Sequence, residues 1–165
     1  YNRFDGTFWI VGDQIRKVDP EGRELVRGPA PTGSYESVAP DQSDGSIWIA
    51  EVIGKPTEAG RILHLQASGE LLRAIPFPNN TPFHVVCDSK SGVVWVASAG
   101  DYVKSFTRNG ELRPLLTVQP QDVSFRERTG KLWLTTSEKI IAQDRAGTTL
   151  LTCTSKNQRQ WIIAP

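Results

Sequence analysis

The chain has 165 residues, with 19 basic and 18 acidic side chains and a formal net charge of +1. Its length allows one domain with a sizeable core, or two very small ones. The balanced and scattered charge argues against nucleic-acid binding and against a polybasic membrane contact. No apolar stretch approaches the length of a membrane span, and the two cysteines, Cys87 and Cys153, are too few for a disulfide framework.

The start of the chain carries no signal-peptide pattern, and the sequence contains no Met. Since the first residue is Tyr1, we expect the natural N-terminus to be absent, together with any targeting peptide. We expect a soluble protein, and the sequence leaves its compartment open.

One short motif, Gly-x-x-Trp, occurs four times along the chain. Its tryptophans are 39, 47 and 38 residues apart, which is a period typical of β-propeller blades. A second glycine turn follows each tryptophan. Tight hairpins favour glycine because it adopts positive φ without steric cost. The eight turn glycines are Gly6, Gly22, Gly45, Gly69, Gly92, Gly110, Gly130 and Gly147.

Short runs of strand length and composition lie between these turns. The first repeat lacks a clear opening strand. In chain order the predicted strands are 7–11, 14–19, 23–27, 35–40, 46–52, 61–66, 70–75, 84–88, 93–98, 102–107, 111–116, 121–126, 131–136, 139–144 and 148–153.

The repeats predict an all-β fold, a β-propeller of four blades of four antiparallel strands, rather than a β-sandwich. Residues 160–165 match the missing opening strand, so we expect this closing strand to pair with the Trp9 sheet and close the ring. Two alternatives stay open: a four-blade segment of a six- to eight-bladed propeller, and two chains that complete one larger ring. Within a single domain, 1–165, the blades fall at about 1–28, 34–76, 83–117 and 121–153.

The repeat unit resembles that of the NHL, SMP-30 and streptogramin-lyase-like group of propellers. The resemblance rests on DSKSGVVWVA, residues 88–97, followed by FTRNGEL, residues 106–112. It covers almost the whole chain at the level of the repeat. The group includes lactonases, lyases and binding modules. The lactonases imply a divalent metal held by Glu, Asn and Asp in the central channel, and the early Glu of that set is not evident here.

Ser37, His84 and Asp122 lie eleven residues before the tryptophan in three successive repeats. A serine, a histidine and an aspartate suggest a catalytic triad. Equivalent positions around a ring are expected to diverge from one axis, however, and Ser37 lacks a nucleophile elbow. We therefore predict a polar ring that faces channel water.

His84 is the single candidate for catalysis or for metal binding, because imidazole titrates near neutral pH and binds divalent metals. No second His or Cys stands at metal-ligand spacing, so a divalent metal is the alternative rather than the expectation. His64 lies in an alternating strand and is expected to be structural. Asp41 and Asp44, before Gly45, predict an Asx-stabilised hairpin turn rather than a calcium loop.

The loops before the first strands and between the second and third strands form the predicted ligand-binding face. The insertion of residues 51–60 is the most individual of them. The residues assigned to this face are Ser37, Glu51, Lys55, His84, Asp101, Asp122 and Glu138.

These features favour a non-enzymatic binding or protein-interaction module that presents its loop face to a protein or a small molecule. We expect a monomer or a ring-completing dimer, without nucleic-acid or membrane partners. The alternative is a metal-dependent hydrolase, lactonase or lyase of the group above, or an inactive fragment of one.

Overall fold

The computed structural model describes residues 1–30, 32–55, 58–77, 80–99, 102–113 and 120–154. The described residues form strands and turns, with no helix and therefore none that could cross a membrane. The strands are β1 (Phe8–Ile10), β2 (Arg16–Val18), β3 (Glu24–Arg27), β4 (Ser34–Pro40), β5 (Ile47–Lys55), β6 (Glu58–Leu65), β7 (Leu71–Phe77), β8 (Thr81–Asp88), β9 (Val93–Ala99), β10 (Tyr102–Phe106), β11 (Asp122–Arg126), β12 (Lys131–Thr135), β13 (Lys139–Gln143) and β14 (Thr149–Thr154).

The strands form four antiparallel sheets, one for each sequence repeat. The orders are β1-β2-β3, β4-β5-β6-β7, β8-β9-β10 and β11-β12-β13-β14, so every pairing joins neighbours in the chain. The turn glycines explain this order, since all eight predicted positions have φ between 65° and 87°. A side chain there would be strained, because L-residues with a Cβ rarely adopt that region. The prediction from glycine spacing is therefore confirmed.

Two predictions about the strands differ from the structure, and a third concerns residues that the structure does not describe. The insertion at residues 51–60 is not a loop: β5 and β6 run through it as a longer hairpin, with Val52 paired to Gly60 and Lys55 to Glu58. In the third repeat, the predicted fourth strand is described only as a bridge between Phe106 and Leu112. The predicted closing strand, 160–165, lies outside the described residues.

The tryptophan of each of the first three repeats packs its sheet against the next one. Side chains alternate across a strand, so the tryptophan faces forward and its two neighbours face back. Trp9 packs with Ile47 and Ile49 in one buried cluster, and Trp48 packs with Val94 and Val96 in the next. In the third cluster Trp95 packs with Leu132 and Leu134.

Two ion pairs repeat across the outer ends of these interfaces. Arg108, in the β10 end turn, donates to the buried Asp41 of the second repeat from Nε at 2.8 Å. Arg145, in the β13–β14 turn, donates in the same way to the buried Asp88 of the third repeat. We call each of these pairs a latch. Burial alone would raise the pKa of Asp88, but the hydrogen bonds from Arg145 and Ser91 outweigh it and hold that pKa below its usual value.

The described residues do not show a closed ring. The sheets contact one another in chain order, through β1 and β4, β4 and β8, and β8 and β11. No comparable contact joins a strand of the first sheet to one of the fourth within the described ranges. One exposed ion pair, Arg3 to Glu127 at 3.6 Å, links their end turns.

Candidate binding channel

A cavity of about 470 Å³ runs along the opening strands of the second, third and fourth repeats. These strands, β4, β8 and β11, are the ones that contact their counterparts in neighbouring sheets. Its wall includes consecutive residues of these strands, several of them apolar. It is lined by Tyr1, Arg3, Val38, Ala39, Pro40, Gln42, His84, Val85, Val86, Cys87, Phe125, Arg126, Glu127 and Arg128.

The cavity opens among the turns that follow these strands. A second cavity, of about 450 Å³, lies among the same turns and shares Arg3, Gln42, Glu127 and Arg128 with the first. We call this opening the channel mouth. Its ionisable residues are Arg3, Lys90, Arg126, Glu127 and Arg128.

The channel mouth is strongly cationic although the chain as a whole is nearly neutral. Four of its ionisable residues are basic, and Glu127 is the single acid among them. Arg126 and Arg128 are exposed, and neither side chain has a hydrogen-bond or ion-pair partner among the described residues. Like charges held around one opening create a positive potential that attracts anions.

Hydrogen bonds between turns fix the shape of the mouth. The Gln42 side chain accepts from the backbone N–H of Arg3 at 2.5 Å and donates to the carbonyl of Tyr1 at 3.2 Å. The backbone N–H of Gln42 in turn donates to the hydroxyl of Ser89 at 2.6 Å. Three successive repeats are thus tied together at the mouth. The Asx turn predicted at Asp41 is confirmed, because the N–H of Ser43 donates to its carboxylate at 3.0 Å.

Near the starts of β8 and β11 the structure brings His84 and Asp122 together. Nδ1 of His84 lies 3.1 Å from a carboxylate oxygen of Asp122. Both side chains are partly exposed, at 39% and 56%. The expectation that equivalent positions diverge is therefore wrong for this pair, since the side chains are long enough to bridge adjacent sheets. Ser37 has a different role, because its hydroxyl accepts from the backbone N–H of Val85 at 3.2 Å.

Glu51 was expected on the ligand-binding face, but the structure buries it completely. Its carboxylate accepts hydrogen bonds from the Arg61 guanidinium, and from the backbone N–H of Thr32 at 2.7 Å. Burial, together with the nearby Glu51 charge, raises the pKa of Tyr35 to about 12. Glu51 is therefore a structural residue, and the extended hairpin places it in the interior rather than on a loop.

The other residues predicted for that face are not brought together. Lys55 ends β5, and Glu138 is exposed in the turn between β12 and β13. Asp101 lies outside the described residues. Of the predicted site residues whose side chains the structure describes, His84 alone lines the channel.

His64 is buried, as expected of a structural residue. Its ring stacks on Trp48, with centroids 3.9 Å apart and planes 8° from parallel. Nε2 lies 3.0 Å from the hydroxyl of Ser46, and burial lowers the pKa of the imidazole.

The sequence analysis did not identify the basic residues of the mouth, because they lie in turns to which it assigns only the role of connecting strands. One signal was available. The residue that opens the turn before the tryptophan is Asn2, Asp41 and Asp88 in three repeats, but Arg126 in the fourth. At this position the other repeats have a polar or acidic side chain that stabilises the turn. An arginine there indicates that the residue has a role other than stabilising the turn.

No group of three or more His, Cys, Asp or Glu side chains that could hold a metal ion occurs among the described residues. Cys87 lines the channel, but burial raises the pKa of its thiol far above the usual value, so it is a neutral apolar wall residue.

No protein-family model and no curated protein matches the chain. Among solved structures it is similar to a Bacteroides caccae protein of unknown function, with a TM-score of 0.67 and 18% identity over 93% of this chain. It is also similar to the hydrazine synthase of Kuenenia stuttgartiensis, with a TM-score of 0.75 and 12% identity over 93% of this chain. The alignments span 59% and 47% of those two chains. At this identity the likeness is one of fold alone, and it is compatible with a β-propeller.

Proposed function

We propose that the chain is a non-enzymatic binding module, and that its ligand is a small organic anion held in the channel. The observation that carries the proposal is the cavity of about 470 Å³ that joins an apolar wall to a cationic mouth. Ligand pockets of 300–1,000 Å³ typically combine apolar lining with a few polar groups that set orientation.

The two ends of the cavity suggest how such a ligand would lie. Val38, Val86 and Phe125, which are partly exposed, offer an apolar wall for a ring or short alkyl body. Arg3 and Arg128 stand at the mouth, where a carboxylate, sulfate or phosphate would accept charge-assisted hydrogen bonds. Guanidinium groups suit such anions because their planar donors can bind two oxygens at once. The binding site is then the channel rather than the loop face that the sequence suggested.

Calorimetric titration with phenyl phosphate tests the proposal, with benzyl alcohol and benzylamine as neutral and cationic comparators. We expect phenyl phosphate alone to bind, with an affinity that falls as salt is added, because exposed charges are screened. The double variant Arg3→Gln/Arg128→Gln should bind at least about tenfold more weakly, since a charge-assisted hydrogen bond contributes about 1.5–3 kcal/mol.

The matched control is Arg16→Gln, which removes an exposed arginine on β2 that does not line the channel. It should leave phenyl phosphate binding unchanged. Equal binding of phenyl phosphate and its two comparators, or equal loss in the control and the double variant, would contradict the proposal.

We also propose kinship with the NHL, SMP-30 and streptogramin-lyase-like propellers and a ring-shaped arrangement of the blades. The support is the regular Gly-x-x-Trp repeat together with the one-sheet-per-repeat order and the forward packing of Trp9, Trp48 and Trp95.

A second candidate function is acid–base catalysis at His84, favoured by its 3.1 Å contact with Asp122. A carboxylate that holds one imidazole nitrogen leaves the other available to take or give a proton. If the site is catalytic, Asp122→Asn should lower the rate of hydrolysis of p-nitrophenyl acetate and change its pH dependence. If the chain is a binding module, the rate should equal that of free imidazole and the variant should not alter it.

A further inference from the structure

Each repeat contributes two tip residues to the channel mouth. They are the pair that follows the residue opening the turn, as Ser89 and Lys90 follow Asp88. Among the described residues, the second cavity of about 450 Å³ is lined by tip residues alone, and they come from all four repeats. Phe4 is the one tip residue that does not line it. One chain therefore builds this cavity from equivalent positions around the mouth.

The second cavity carries a positive charge of its own. Arg3, Lys90 and Arg128 line it, and Glu127 is the acid beside them, in a solvent-exposed ion pair with Arg3 at 3.6 Å. Lys90 and Arg128 are exposed, and within the part of the chain that the structure describes neither side chain has a hydrogen-bond or ion-pair partner. Basic groups without acidic partners around one cavity attract anions.

The two serines of this cavity have different roles. Ser43 belongs to a latch, because its hydroxyl donates to the carboxylate of Asp41 at 2.7 Å. The hydroxyl oxygen of Ser89 accepts from the backbone N–H of Gln42 at 2.6 Å, which leaves the hydroxyl hydrogen of Ser89 to donate elsewhere. Ser89 and Lys90 are thus neighbouring donors, and neither of them lines the channel cavity of about 470 Å³.

The two cavities adjoin each other, because Arg3, Gln42, Glu127 and Arg128 line both of them. An anionic group bound by Arg3 and Arg128 therefore lies where the cavities meet. A ligand with one such group leaves Lys90 without a contact. A second anionic group that is joined directly to the first can enter the second cavity and reach Lys90.

This step rests on the proposed binding of an organic anion in the channel. We infer that the ligand is an organic diphosphate, whose terminal phosphate binds Lys90 and Ser89 in the second cavity. Its apolar body lies in the channel and its first phosphate lies between Arg3 and Arg128. A terminal phosphate suits the second cavity because its several acceptor oxygens can bind an ammonium group and a hydroxyl at once. Lys90 then distinguishes diphosphates from monophosphates.

Calorimetric titrations with phenyl phosphate and phenyl diphosphate, which differ by one phosphate group, test the inference. The unmodified chain should bind phenyl diphosphate at least about tenfold more tightly, which is the effect of one added charge-assisted hydrogen bond. Lys90→Gln should weaken phenyl diphosphate binding at least about tenfold and phenyl phosphate binding much less, since it removes the partner of the terminal phosphate.

The matched control is Lys139→Gln, which removes an exposed lysine on β13 that lines neither cavity. It should leave both affinities unchanged, and circular dichroism should show the same strand signal for both variants. If phenyl phosphate binds but phenyl diphosphate binds no more tightly, the inference is overturned and the proposed function stands. Equal weakening of the two ligands by Lys90→Gln has the same meaning. If neither ligand binds the unmodified chain, the proposed function fails together with the inference.

Discussion

Arginines serve two different purposes at the same end of this molecule. Arg108 and Arg145 reach across sheet interfaces to carboxylates that are fully buried. Arg3 and Arg128 stand at the channel mouth, and among the described residues the Arg3 side chain has only its exposed ion pair with Glu127. The first pair is held in place by the fold, while the second pair can respond to a ligand.

The difference lies in what faces each guanidinium. A buried carboxylate that loses its arginine becomes an uncompensated charge in the interior, so the latch must be kept once it exists. An exposed arginine without a buried partner costs almost nothing to remove. The role of each of these arginines therefore follows from its position within the repeat and not from its residue type.

The largest expected effect comes from breaking a latch. Asp88→Ala removes the buried acceptor of Arg145 and of Ser91, and it should lower the free energy of unfolding by roughly 2–3 kcal/mol. Glu127→Ala, the matched change at the mouth, should cost less than about 0.5 kcal/mol, because its ion pair with Arg3 is solvent-exposed. Urea denaturation of both variants makes the measurement. Equal losses would erase the distinction between latch and mouth.

Strong acid should weaken the latch between Asp88 and Arg145. The pKa of Asp88 lies below its usual 3.8, so its contribution to stability is complete above that pH and is lost as pH falls through the lower folded-state pKa. Urea denaturation at pH 5 and pH 3 should show a smaller fall for Asp88→Asn than for the unmodified chain. A residual fall is expected from Asp5, Asp19 and Asp44, whose pKa values are also lowered. An unchanged fall in the variant would show that Asp88 is not held ionised.

The smallest expected effect comes from a substitution that keeps the positive charge of Arg145 and changes only the geometry of its hydrogen bonds. Arg145 donates to both oxygens of Asp88 and also lies over the ring of Phe125, 5.6 Å from its centroid. Lysine cannot reproduce two parallel donors or the stacked plane. Arg145→Lys should therefore lower the thermal unfolding midpoint by a few degrees, whereas Arg3→Lys should leave it unchanged. A larger shift for Arg3→Lys would mean that the mouth is structural.

The sheets could be predicted from the sequence, because residues close together in the chain determine where each strand begins and ends. The eight turn glycines and the alternating residues around Trp48, Trp95 and Trp133 define where strands begin, end and face. The fourth repeat shows this best, since β11 to β14 match the predicted strands to within one residue at each end. The prediction of a loop at residues 51–60 was wrong, because a hairpin whose two strands are extended has the same Gly and Pro content as a surface loop.

The channel could not be predicted in the same way, since it depends on distances between repeats. The pairing of His84 with Asp122 depends on how far one side chain reaches towards the neighbouring sheet. The burial of Glu51 depends on Arg61 and Thr32 closing over it. The mouth arises because Arg3 and Arg128, 125 positions apart in the sequence, meet at one opening.

The most direct test of the binding channel is NMR of the arginine side-chain Nε–H groups during a titration with phenyl phosphate. The account predicts that the Arg3 and Arg128 signals shift progressively, while Arg108 and Arg145, held by Asp41 and Asp88, stay in place. Signals that all remain fixed, or shifts confined to the latch arginines, would contradict it.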